Sequence, residues 1–178
     1  MSDDESIDDD LQPPFPPDPA YDTIEVRLYD SSAELVESAA AEFIDVIGAA
    51  QRERGVARVV LTGGSNGIAI LRALRESASD LDWSNIEFYW GDDRFVSAAD
   101  PDRNSGQARE ALLDHVPVDP AKVHVMAPSD GAFGDDIDAA AAAYEAIIDG
   151  VDTFDLHLLG MGGEGHVHSL FPYTAATA

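Results

Sequence analysis

Three short apolar runs, each cut off by glycine or charge and followed by helical spacing, constrain this 178-residue chain more than any other feature. Val59-Val60-Leu61 stops at Thr62-Gly63-Gly64-Ser65-Asn66-Gly67 before Ile68, Leu71 and Leu74 resume a period near 3.6. Ile86 to Trp90 runs into Gly91-Asp92-Asp93-Arg94, and Phe154 to Leu159 runs into Gly160 to Gly165. Apolar runs of this length between helical stretches read as strands covered on both faces, so the pattern predicts an α/β fold: a doubly wound, mostly parallel sheet flanked by helices.

The remaining elements follow from local signals. Ser31 with Glu34 has capping-box spacing, and Leu35, Ala39, Phe43 and Ile47 recur at steps of four, predicting a helix that Gly55 ends. Gln107 to Leu113 and Ile137 to Ile148 also read as helices, and Val123 to Met126 as a short strand. The alternation of Ile24, Val26 and Leu28 predicts an edge strand before the first helix. Residues 1–20 combine aspartates with five prolines and are expected to be a disordered tail, leaving 21–178 as one domain.

Charge narrows the partners. Ten basic against 35 acidic residues give a formal charge of -25, a surface that repels nucleic acid. No run approaches the length of a membrane span, and the acidic start lacks a basic signal-peptide region, so the chain is expected in the cytoplasm and not at a membrane. With no cysteine, a thiolate nucleophile or zinc site has no ligand to build on. An anionic substrate would depend heavily on the few arginines in its pocket.

Ligands of an open parallel sheet gather outside the carboxyl ends of its strands, where the three loops lie. Gly63 to Gly67 leads into a helix, so its amides and the helix dipole suit a phosphate, although a plain strand-to-helix turn has the same glycines. Asp92, Asp93 and Arg94 place two carboxylates and a guanidinium after a buried strand, equally the makings of an ion-paired turn. Asn104 follows a turn and reads as a helix N-cap. In Gly160-Met161-Gly162-Gly163-Glu164-Gly165-His166 an imidazole stands at the start of an expected helix, able to take a proton from water and return it. His168 competes with it, whereas His157 falls within the strand and reads as a core residue. His166, His168 and Glu164 lack any zinc spacing, and Ser65 lacks the GxSxG elbow.

In order and spacing, Leu61 to Gly67, Trp90 to Arg94, and Phe154 to His166 with Ser169-Leu170-Phe171-Pro172 together resemble the 6-phosphogluconolactonase family. The likeness extends from about Ile24 to Pro172. It implies a Rossmann-like phosphosugar isomerase/lactonase fold and no cofactor, and with no zinc spacing present no metal is expected. The activity implied is hydrolysis of 6-phosphogluconolactone to 6-phosphogluconate in the oxidative pentose phosphate pathway; a monomer acting on a small phosphosugar lactone is expected. By the same resemblance His166 is the general base, with Asp92 and Arg94 beside it as catalytic pocket residues. Gly63, Gly64, Ser65 and Asn66 match the phosphate-side loop, and Gly162, Gly163, Glu164 and Asn104 match substrate-binding positions.

The chain departs from the family pattern at Glu164, where aspartate is usual, at Asn66-Gly67 in place of Thr-Pro, and at Val167-His168 in place of Thr-Ala. Family members continue past the position of Ala178 to a substrate-binding lysine that Lys122 does not match, so the domain reads as incomplete at its C-terminus. Glucosamine-6-phosphate deaminase shares the fold, but its GHIAFNEPG segment carries a carboxylate that Ser169 to Pro172 lacks. A catalytically silent phosphosugar-binding fragment is the third alternative.

Overall fold

The structure, a computed structural model, describes residues 25–77 and 80–177. The expected tail, 1–20, and Ile24 lie outside them. Helix α1 (Ser32–Arg54) opens where the Ser31 hydroxyl accepts the Glu34 N–H, and it ends at Gly55, whose φ is 77°. Strand β1 (Ala57–Leu61), helix α2 (Gly64–Ser77), strand β2 (Ile86–Trp90), helix α3 (Asn104–Ala111), helix α4 (Ile137–Ile148) and strand β3 (Leu156–His157) follow. The sheet order is β2-β1-β3 with both pairings parallel, as the strand-loop-helix pattern requires.

Register explains the two sheet faces. Val59 pairs with Phe88 and Leu61 with Trp90, and these join Phe43, Ile47, Leu71 and Leu74 in one core. On the other face Arg58 stands opposite Glu87, and its Nε donates to Oε2 at 2.8 Å. That face is therefore partly ionic, where the sequence alone suggested an apolar one. Tyr144 of α4 closes the outer edge of β2: its hydroxyl accepts the Trp90 N–H at 2.8 Å and donates to the Trp90 carbonyl. The loop carrying Asp92 and Arg94 thus starts from a strand end tied on both edges.

Several expected elements come out differently. Residues 25–29 form no strand, and Val26 and Leu28 are exposed. Both edges of β1 are taken, so this segment lies along α1 through the Arg27–Glu42 ion pair and the Tyr29–Ser38 hydroxyl contact. Val123 to Met126 makes one parallel bridge, Val123 to Phe88, rather than a strand. β3 is two residues long because the Asp155 carboxylate, which is also ion-paired with Arg54, takes the Arg58 N–H at 2.8 Å that a longer ladder would need. The helix expected at 107–113 starts earlier and gives way to a 3-10 turn at Leu113–His115. No helix among the described residues is long and apolar enough to cross a membrane.

Candidate active site

The carboxyl ends of β1, β2 and β3 open onto one cleft of about 580 Å³. From β1 come Gly63 and Gly64; from β2, Asp92 and Arg94; from the segment after β3, Gly162, Glu164 and His166. Asn104 joins them from α3. A second cavity of about 430 Å³ adjoins it, shares Gly64, Arg94 and Asn104, and adds Ser65 and Arg72. Asn66 and Gly163 line neither cavity.

The first loop is shorter than the glycine run suggested. Helix α2 starts at Gly64, which takes a left-handed φ of 81°, so the free amides at the cleft belong to a helix terminus rather than an open loop. Gly63 has no room for a β-carbon, because the Asn104 side chain lies against it. Asn104 is not the cap of α3. It is the first helical residue, and its Nδ2 donates to the Asp92 carbonyl at 3.1 Å and to Asp92 Oδ1 at 3.2 Å.

The capping role falls to Asp93, whose importance no local sequence signal announced. Its carboxylate accepts the backbone N–H of Asn104 at 2.7 Å and the Ser105 hydroxyl at 2.6 Å. Arg103 neutralises it at 3.0 Å, with both side chains almost fully buried, and donates onward to the Met126 carbonyl at 2.6 Å. The two adjacent aspartates thus divide their work. Asp93 locks the loop to α3 from beneath, and Asp92 faces the cleft.

His166 stands in an irregular turn, bracketed by antiparallel bridges of Val167 to Met161 and Leu170, not at a helix start. Its ring lies against Gly162, where a β-carbon would overlap it, and packs against Phe171 with centroids 4.5 Å apart. Nδ1 donates to Glu164 Oε2 at 3.0 Å, which leaves the Nε2 lone pair free to accept a proton. The Glu164 carboxyl is held below its usual range by its own backbone N–H and then by the His166 ring. The Arg94 guanidinium has no hydrogen-bond partner among the described residues and lies where the two cavities meet. It is free to take an anion.

His157 is exposed rather than in the core, because nothing among the described residues pairs with the outer edge of β3. The residue is exposed as a whole, yet partial enclosure of its ring and then the charge of His168 hold it below the usual imidazole range. His168 also lines the cleft, but its ring nitrogens are turned toward protein groups, Nε2 3.0 Å from His157 Nε2 and Nδ1 3.5 Å from Asp92 Oδ1. The described residues include no group of three histidine, aspartate or glutamate side chains placed to hold a metal ion.

Residues 30–178 match the family model for glucosamine-6-phosphate isomerases/6-phosphogluconolactonase. The chain belongs to this family. The 6-phosphogluconolactonase of Mycobacterium tuberculosis is 48% identical over 158 residues, an alignment covering 85% of this chain and 64% of the relative. That of Streptomyces coelicolor is 48% identical over 162 residues, covering 85% and 62%. The solved structure of the Trypanosoma brucei 6-phosphogluconolactonase superposes with a TM-score of 0.72 at 25% identity, covering 84% of this chain and 64% of that one. The chain therefore spans under two thirds of the length of these relatives.

Proposed function

We propose that the protein hydrolyses 6-phosphogluconolactone to 6-phosphogluconate. One observation carries this reading: an imidazole fixed by Glu164 with a free Nε2, an unpaired Arg94 and the amino end of α2 border the same cleft. Curated relatives of 45–48% identity bear the name of this activity.

Arg94 and the α2 amides take the phosphate, the guanidinium pairing in a fork with its oxygens. Asp92 accepts sugar hydroxyls. His166 Nε2 removes a proton from water as its oxygen bonds to the lactone carbonyl carbon. The tetrahedral adduct then breaks its bond to the ring oxygen, which takes the proton back from His166. One water is consumed, and the free acid ionises at neutral pH. Glu164 keeps the Nδ1 proton in place and stabilises the imidazolium between the two transfers. One chain supplies every group named, so a monomer suffices, and a phosphorylated substrate is confined with the enzyme in the cytoplasm.

Acid release from freshly generated 6-phosphogluconolactone, followed in a pH-stat above its spontaneous hydrolysis, tests the proposal. Catalysed release supports it. A rate equal to the spontaneous one, or ammonia release from glucosamine 6-phosphate in its place, overturns it.

A further inference from the structure

Along one wall of the cleft, three side chains meet in a line in which two, His157 and His168, have no part in the hydrolytic scheme. His168 holds a left-handed backbone at φ 50°, which residues other than glycine seldom adopt and which persists where the surroundings enforce it. Its ring lies against Gly91, where any β-carbon would overlap it. The side chain is 10% exposed. On one side its Nε2 is 3.0 Å from His157 Nε2, the rings meeting edge to edge with planes 24° apart. On the other its Nδ1 is 3.5 Å from Asp92 Oδ1 and is buried without a hydrogen bond. Asp92 Oδ2 also accepts the Ser169 hydroxyl at 2.8 Å.

The proton positions follow from these neighbours. A nitrogen lone pair at Nδ1 would face the lone pairs of a carboxylate, so Nδ1 carries the hydrogen. A neutral ring then has its lone pair at Nε2, and the His157 Nε2–H must be the donor between the rings. His157 from β3 and Asp92 from the loop after β2 are the titratable groups against the His168 ring among the described residues. The pair stays joined while it carries at most one extra proton, since a second would set two N–H groups head to head.

We propose that His168 is a positioning residue for Asp92: with its tautomer fixed by His157, it presents Nδ1–H to the carboxylate and aims Asp92 at a substrate hydroxyl. A movement of roughly half an ångström on ligand entry closes the gap to a charge-assisted hydrogen bond. A strained backbone, burial and a glycine cut away for the ring together hold His168 in this place. The kinetic part of this inference rests on the proposed lactonase activity; the tautomer does not.

Long-range proton–nitrogen NMR of the histidine rings in the intact protein tests the arrangement directly. Expected for the neutral ring is a His168 protonated at Nδ1 and bare at Nε2, with a hydrogen bond from His157 Nε2–H that His157→Phe removes. A neutral His168 ring protonated at Nε2 overturns the proposal. With 6-phosphogluconolactone, His168→Ala is expected to lower kcat/KM roughly tenfold or more. His168→Asn, whose amide N–H replaces Nδ1–H, recovers most of that loss. Wild-type kcat/KM in His168→Ala, or an Asn variant no better than Ala, overturns the positioning role. Absence of all lactone turnover in the unsubstituted protein sinks the functional reading instead, and the NMR result still decides the tautomer.

Discussion

At the scale of single residues, His166 is the group whose loss is most specific. Its Nδ1 is occupied by Glu164 and its ring is backed by Gly162 and Phe171, so only Nε2 remains for chemistry. Replacing it with asparagine keeps a donor for Glu164 and removes the base. Turnover of the lactone in His166→Asn is expected to fall by about 100-fold or more, with the far-ultraviolet circular dichroism unchanged. His157 gives a second test, through pH. Its folded-state pKa is depressed below the ordinary imidazole value of 6.5, first by burial and then by His168. The unfolded chain therefore binds the proton more readily, and stability is lost as pH falls from about 6.5 through the lower folded value. Urea titrations across this range are expected to show that acid loss in the wild type and a reduced loss in His157→Gln.

At the scale of elements, the site depends on how the loop after β2 is fastened to α3. Asp93 and Arg103 form a buried pair that caps α3 and holds the backbone at Arg94 and Met126. Removing one partner strands the other charge, so Arg103→Met is expected to cost about 3–5 kcal/mol in chemical denaturation. The residues that build this fastening also show where sequence reading stops. Strand and helix positions were legible because β1, β2 and α1 declare themselves by apolar runs, the Ser31 cap and the Gly55 stop, which are local signals. Asp93 and Arg103 each sit within a charged turn, and nothing local says that they meet ten residues apart and lose contact with water. Asn104 was misplaced as a cap for the same reason: the capping oxygen comes from another loop. The segment at 25–29 has the alternation of a strand but no free edge to join, a fact set by β2 and β3 rather than by its own residues.

At the scale of the whole molecule, a chain of formal charge -25 brings a free guanidinium, a helix amino end and a braced imidazole to one side of a parallel sheet. The convergence was legible in outline, because three loops at strand carboxyl ends of such a sheet must share a side. Which residues face the cleft was not: Ser65 falls in the adjoining cavity, Asn66 and Gly163 fall outside both, and His168 lines the cleft with its ring nitrogens turned to Asp92 and His157. On the proposed reading the surrounding acidity makes Arg94 decisive for a phosphorylated ligand, and its position between the two cavities would set where the phosphate lies relative to His166. Titration with 6-phosphogluconate, followed by the NMR signals of the Gly63 and Gly64 amides, the Arg94 side chain and the His166 ring, tests this most directly. All four are expected to shift together along a single saturation curve. Saturation at Arg94 and the glycines with His166 unmoved would contradict a shared cleft.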